Sequence, residues 1–348
     1  MRTVLVTGGC GFIGSHFVRL VHERTDWRVV NLDALTYAGD PERIRDLPPG
    51  SRYRFVRGDV ADRALVENLF REERPWAAVN FAAESHVDRS ILDAAPFLQA
   101  NVAGVQALLE AAREHPVERF VQVSTDEVYG DLAEGGRASE ESLLRPSSPY
   151  AASKAAADLL CLAYRRTYGL PVLITRSANT YGPWQYPEKL IPVLIHHALA
   201  GEPLPLYGDG MQRRDWLYVA DASEAVLVVL ERGEPGGIYN VAAGHERTNV
   251  EVARALCRVL AEEAALPPGT TLPEVRFVAD RPGHDRRYAM EAGKIRRLGW
   301  EPRVGFEEGL VRTVRWYLRH RDWIERATSG GYREYREAVY ARHWRRGA

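Results

Sequence analysis

Thr3-Val-Leu-Val-Thr-Gly-Gly-Cys-Gly-Phe-Ile-Gly14 is a β-branched run that opens into glycines at positions 8, 11 and 14. Thr3–Val6 reads as a strand, and a helical pattern over Phe12–Glu23 follows the glycines directly. A glycine triplet alone says little, but this one has a strand before it and a helix after it. In that setting glycine permits the tight turn, lets the backbone approach a pyrophosphate, and lets the helix pack close to the sheet. The helix start then presents unpaired N–H groups to an anion. Cys10, in the variable place between the glycines, reads as a small packing residue.

Outward from this loop, strand-like runs at Arg28–Leu32, Tyr53–Arg57, Ala77–Phe81, Arg119–Ser124 and Val172–Arg176 alternate with helical patterns. Two of those helices are long, near Ala94–His115 and Tyr150–Tyr168. Such alternation predicts βαβ units, a parallel sheet and right-handed crossovers that place helices on both faces. The expected fold is α/β, a Rossmann-type doubly wound parallel sheet over residues 1–178, with a smaller C-terminal substrate-binding domain over 179–348. From Asn179 onward prolines and glycines become dense, which marks the change. The Trp216–Leu230 and Ile238–Val241 runs, within 215–245, are expected to return to the main sheet. The arginine-rich tail, Tyr332 to Ala348, reads as a solvated helix.

Bulk properties exclude several classes. The 348 residues are 45% hydrophobic and 27% charged, with a formal net charge of -1. No global field recruits nucleic acid or an anionic membrane. No apolar run approaches the length of a membrane span. Met1-Arg2 leads straight into the first strand, so no signal peptide is expected and the location is expected to be cytoplasmic. Cys10, Cys161 and Cys257 are few, odd in number and far apart, which fits a reducing compartment without disulfides. No Cys/His cluster has metal-ligand spacing, so no metal is expected.

The residues around the loop specify the cofactor. Asp33 ends the second strand, where an acid meets the adenosine ribose. Its carboxylate accepts hydrogen bonds from free ribose hydroxyls and repels a 2′-phosphate, which favours NAD over NADP. Expected cofactor contacts are Gly8, Gly11, Phe12, Ile13 and Gly14 in the loop, with Asp33, Ala34, Leu35 and Thr36 after the second strand. Asp59 and Val60 are placed at the adenine, and Ala82 and Ala83 where a small side chain lets backbone lie against the cofactor. Tyr150 and Lys154 form YxxxK at a helix start, and residues four apart share a helix face. A lysine ammonium and a nicotinamide ring beside the phenol are expected to lower its pKa, so that Tyr150 can act as a base. Ser124 and Thr125 end the preceding strand, where a hydroxyl can bridge substrate and tyrosine.

With these residues in place, the chain resembles the nucleotide-sugar branch of the extended short-chain dehydrogenase/reductase family. Within that branch it is similar to the sugar-nucleotide 4,6-dehydratases. The resemblance rests on Thr125-Asp-Glu-Val-Tyr-Gly130, Asn179-Thr-Tyr-Gly-Pro183, Glu188-Lys-Leu-Ile-Pro192, Arg214-Asp-Trp-Leu-Tyr-Val219 and Asp280-Arg-Pro-Gly-His-Asp-Arg-Arg-Tyr288. Sugar epimerases of the branch carry small or neutral residues where Asp126 and Glu127 stand here.

The resemblance implies a retained NAD and a hydride moved from C4 to C6 of one hexose. Tyr150 would act as base at C4, Thr125 would polarise the ketone, Glu127 would take the C5 proton, and Asp126 would protonate the departing C6 hydroxyl. It implies a nucleotide-sugar site built from Ser85, Asn179, Glu188, Lys189, Leu190, Pro205, Tyr207, Arg214, Asn249, Arg281 and His284. Thymidine is the default base of the family; uridine and cytidine stay open. It implies a homodimer through the two long helices, with Val105, Leu108, Leu109, Leu159, Leu160 and Leu162 as candidate apolar contacts, or else contacts to the sheet. The rival readings are an epimerase or decarboxylase on the same scaffold, and a non-catalytic NAD sensor.

Overall fold

β1 (Thr3–Thr7) and α1 (Phe12–Arg24) flank the glycine loop as the sequence predicts. A computed structural model describes residues 1–47, 50, 52–264, 273–332 and 334. After α1 come β2 (Arg28–Asp33), β3 (Tyr53–Arg57), α2 (Arg63–Glu73), β4 (Ala77–Asn80), α3 (Val87–Leu92) and α4 (Ala95–Leu98). A π-helical turn, Gln99–Ala103, leads into α5 (Gly104–Glu114) and β5 (Arg119–Thr125). A 3₁₀ turn, Asp126–Tyr129, follows, then α6 (Pro149–Tyr168) and β6 (Val172–Ser177).

The remaining elements are β7 (Asn179–Tyr181), α7 (Leu190–Ala200), β8 (Leu204–Tyr207), β9 (Arg213–Tyr218), α8 (Val219–Arg232), β10 (Ile238–Val241) and β11 (Glu246–Thr248). Then come α9 (Asn249–Glu263), β12 (Val275–Val278), α10 (Gly293–Arg296), α11 (Phe306–Arg319) and α12 (Arg321–Ala327).

Seven strands form one parallel sheet in the order β10-β6-β5-β4-β1-β2-β3. This is a Rossmann-like α/β fold. Strand residues alternate between its two cores. Val4, Val6, Val29, Val79 and Val121 face α1 and α8. Leu5, Val30, Leu32, Ala78 and Phe120 face α2, α5 and α6. Strand order reverses at β1 and β4, so a crevice opens beyond their carboxyl ends. The residues after β1, β2, β4 and β5 all emerge there.

One expectation about elements changes. The Trp216–Leu230 run gives the large sheet no strand. β9 pairs with β7 and β11 in a separate three-stranded sheet, and α8 covers a face of the large one. Only Ile238–Val241 joins the large sheet, beside β6. The long helix near 94–115 is present from Ala95 to Glu114 and carries the π turn within it, all of its junction residues keeping right-handed helical backbone. There the Asn101 amide donates to the Glu84 carbonyl at 3.0 Å and accepts from the Glu84 N–H at 2.9 Å. It also donates to Ser153 Oγ at 2.8 Å, so the widened turn ties α5 to the loop after β4. Val105, Leu108 and Leu109 are buried against the sheet, and Leu160 and Leu162 pack on the same core; Leu159 alone of that set is exposed.

The second lobe has its own core. Leu194, Ile195, Trp216, Leu256, Leu310 and Tyr317 pack together from α7, β9, α9 and α11. Among the described residues no helix is long and apolar enough to cross a membrane, and no group of three His, Cys, Asp or Glu could hold a metal ion. Cys10, Cys161 and Cys257 are free thiols. The solvated-helix reading of the tail falls on residues of which 333 and 335–348 lie outside the described set.

Candidate active site

A cavity of about 640 Å³ opens at the crevice and continues between the two lobes. Every predicted site residue lines it except Leu35. Leu35 has φ of 53° and packs its side chain on the hydrophobic core, so only its neighbours reach the cavity.

The glycine end fits a dinucleotide. Gly8 has φ of +70°, and a Cβ there would stand 2.6 Å from the Ala82 nitrogen. A Cβ on Gly14 would stand 2.2 Å from the Gly8 carbonyl oxygen. No side chain caps α1, so its first-turn N–H groups face the cavity open to an anion. Asp33 is held by the Cys10 N–H on Oδ2 and the Leu35 N–H on Oδ1, both at 2.8 Å. Burial raises its pKa and those N–H groups draw it back. Asp59 accepts from the Ala61 N–H at 2.8 Å, so it caps its turn while lining the cavity.

Arg43 was not read from the sequence. It is fully buried beneath the loop and donates Nη1 to the Cys10 carbonyl at 2.7 Å. Nothing in the Pro41–Ile44 segment marks it, because its partners lie in the loop and at Ala38 and Trp184.

Ser148 caps α6 through the Ala151 N–H at 3.1 Å, and Pro149 takes its first turn. That start fixes Tyr150 and Lys154 on the buried face. Lys154 Nζ donates to the Val123 carbonyl at 2.7 Å. Burial lowers its pKa to about 8, with Asp158 pulling the other way. Burial, then the Glu127 charge, pushes the Tyr150 phenol upward, and the Thr125 hydroxyl draws it back.

Asp126 is 3% exposed and its Oδ2 has no partner. Burial, then the Glu127 charge, raises its pKa to about 8. Glu127 is raised too, chiefly by burial, and is drawn back by Arg281, Lys189 and Arg214. Both carboxyls are thus pushed upward, and Glu127 has three cations drawing it back where Asp126 has Arg214 and the Thr125 hydroxyl.

At the far end, Arg281 donates to Asp88 Oδ1 at 3.2 Å and keeps a buried, unpartnered Nε. Tyr207 donates to the other Asp88 oxygen at 2.9 Å. Burial opposes the Asp88 charge, but His86, Arg281 and Tyr207 bring its pKa down to about 2. Asp88 therefore orients two predicted substrate contacts, a role its sequence position after β4 did not disclose.

Arg214 donates to the Asp285 carbonyl at 2.9 Å and lies 4.2 Å over the Tyr288 ring. His284 is lowered to about 4, first by burial and then by Arg281 and Arg214. Lys189 Nζ donates to the Ser85 carbonyl at 2.6 Å. The Glu188 carboxylate lines the cavity and accepts from Tyr37 at 3.0 Å and Arg89 at 3.1 Å. Asn179 Oδ1 and Trp216 Nε1 are buried without partners in the cavity wall.

This fold and site define a dinucleotide-dependent enzyme acting on a nucleotide-linked substrate. Residues 5–313 match the family described as GDP-mannose 4,6 dehydratase. The chain is 51% identical over 344 residues to a dTDP-glucose 4,6-dehydratase of Xanthomonas campestris pv. campestris (strain B100), covering 96% of this chain and 98% of that one. It is similar to the crystal structure of DesIV, the dTDP-glucose 4,6-dehydratase of Streptomyces venezuelae with NAD and TYD bound. There the TM-score is 0.87 at 47% identity, covering 94% of this chain and 100% of the other. A dTDP-glucose 4,6-dehydratase of Bacillus anthracis in complex with NAD gives 0.84 at 43% identity, with 94% and 100% covered. The chain belongs to the sugar-nucleotide 4,6-dehydratase family.

Proposed function

We infer that the protein is a lyase that dehydrates dTDP-glucose to dTDP-4-keto-6-deoxyglucose with NAD as its cofactor. The observation that carries this reading is the Asp126–Glu127 pair in one cavity with Tyr150, with burial and Glu127 raising the Asp126 pKa to about 8. Bound NAD supplies the acceptor for the C4 hydride, its donor at C6, and a positive ring charge near the phenol.

Gly8, Gly14 and the open first turn of α1 hold the cofactor's pyrophosphate, and Asp33 its ribose hydroxyls. Tyr150 takes the proton of the C4 hydroxyl, and Lys154 supports it with charge. Thr125 donates a hydrogen bond to the C4 ketone, which acidifies the C5 hydrogen. Glu127 removes that proton. Asp126 gives its proton to the C6 hydroxyl, which leaves as water. Glu127 then returns a proton to C5 as the hydride reaches C6. Arg281, Arg214 and Lys189 offset the diphosphate charge, and the second lobe, from Asn179 onward, carries most of that grip.

The deciding experiment gives the purified enzyme dTDP-, UDP- and CDP-glucose side by side and identifies the product. A 4-keto-6-deoxy sugar with water released is expected. The kcat/KM for dTDP-glucose should be about tenfold or more above the others, the scale of methyl- and hydroxyl-level discrimination. A C4-inverted hexose that keeps its C6 hydroxyl would instead identify an epimerase.

Replacing Gly8 by alanine should weaken NAD binding about tenfold or more. The left-handed backbone costs a Cβ about 1–2 kcal/mol, and the collision with Ala82 backbone adds to it. Titration of cofactor-stripped protein measures this; wild-type affinity would remove the loop from the cofactor site.

The chain also forms a homodimer in this reading. Leu98 is 55% and Leu159 57% exposed on α4 and α6, apolar area that a monomer leaves in water. Sedimentation at micromolar concentration should give twice the chain mass; a monomer there ends the proposal.

A further inference from the structure

Some of the most deeply buried polar side chains around the large sheet lie outside the cavity. Asp158 is 0%, Arg176 2% and Tyr129 3% exposed, and none of them lines it. An ion pair sealed from water carries a desolvation cost that its attraction often only offsets, so stability alone is a weak reason for it.

The geometry supplies another reason. Arg176, on β6, donates Nε to Asp158 Oδ2 at 2.8 Å and Nη1 to the Tyr129 hydroxyl at 2.9 Å. The Tyr129 hydroxyl in turn donates to Asn240 Oδ1 at 2.7 Å, and Asn240 Nδ2 donates to the Ala138 carbonyl at 3.1 Å. Asp158 follows Lys154 by one turn of α6, on the inward row that begins at Tyr150. Tyr129 closes the 3₁₀ turn that begins at Asp126. One arm of the guanidinium therefore holds the helix of Tyr150 and Lys154, and the other holds the turn of Asp126 and Glu127.

We propose that Arg176 is a positioning residue that sets the spacing between the oxidising pair and the eliminating pair, through Asp158 on one side and Tyr129 on the other. The proposal rests on the roles assigned above to those two pairs. Three adjacent carbons of one bound sugar must be served without letting it go, so the pairs cannot shift against each other. A planar guanidinium holds two partners at a fixed angle, which a lysine ammonium does not.

The test is Tyr129→Phe in the full-length, NAD-containing enzyme, mixed with dTDP-glucose in a single turnover. The absorbance of the reduced cofactor is followed. Oxidation should proceed within about twofold of the wild-type rate while the later steps slow about tenfold or more, the scale on which misplacing a reacting group acts. Reduced cofactor then accumulates. Hydrogen exchange should quicken in the amides of Asp126–Tyr129 and stay unchanged in α6.

Arg176→Lys keeps the charge, loses the fork, and should slow oxidation and elimination together. Tyr129→Phe turning over with no accumulation, or with both stages slowed equally, overturns the proposal. Should Tyr129→Phe fold poorly, wild-type timing in Arg176→Lys overturns it instead. Asp126→Asn, run alongside, separates the two failures: if it too turns over normally, the assigned roles have failed rather than the coupling.

Discussion

Asp126→Asn is expected to leave the first oxidation running and to stop the reaction at the elimination. The C6 hydroxyl is a poor leaving group unless a proton reaches it, and Asp126 is the carboxyl held ready to give one. Its Oδ1 accepts from the Thr125 hydroxyl at 3.2 Å, its Oδ2 has no partner, and its pKa stands at about 8. An amide fills the same space and has no proton to give. Positioned acids contribute about 10²–10⁴-fold, so kcat should fall by about that factor.

The distinguishing readout is the cofactor. On mixing with substrate, reduced cofactor should build up and persist, because oxidation is complete and nothing consumes it. The pH dependence follows from the same shift. The raised pKa keeps Asp126 protonated below about 8, so wild-type kcat should hold there and decline above it as the proton is lost. The variant should lack that decline. Full turnover of Asp126→Asn would sink the acid assignment.

What could be read from the chain beforehand was what is local in it. The glycine loop declares itself because three glycines, a strand and a helix lie within Thr3–Arg24. Tyr150 and Lys154 declare themselves because a spacing of four is one turn of helix. The adjacency of Asp126 and Glu127 was visible, and so was the upward push on Asp126 from burial and its neighbour. The cations that draw Glu127 back, Arg281, Lys189 and Arg214, lie far off in sequence and could not be placed beside it.

Two placements were not legible. Leu35 has a left-handed backbone and packs on the hydrophobic core. Trp216 belongs to a small sheet whose strands are β7, β9 and β11. A turn conformation decides the first and pairing between distant segments the second, and no periodicity encodes either. The π turn inside the helix near 94–115 was hidden for the second reason, since Asn101 finds its partners at Glu84 and Ser153.

Tyr150→Phe should fail earlier than Asp126→Asn, and the contrast between them assigns the order of steps. Tyr150 is 8% exposed and packs edge-on to Phe97, with ring centroids 6.3 Å apart. Phenylalanine keeps that contact, so the fold and substrate affinity should change little. What is lost is the one group placed to take the C4 hydroxyl proton. Without it the alcohol cannot release its hydride, and kcat should fall by about 10²–10⁴-fold, with no reduced cofactor appearing on mixing.

The direction of the Tyr150 pKa sharpens this. Burial and Glu127 hold the phenol protonated in the protein alone. In the proposed reaction the bound cofactor's ring charge and the charge of Lys154 offset that push. Stopped-flow absorbance decides the matter. A reduced-cofactor transient of wild-type rate in Tyr150→Phe would mean that another group takes the C4 proton. Its absence, beside persistence of the same signal in Asp126→Asn, would place Tyr150 before the oxidation and Asp126 after it.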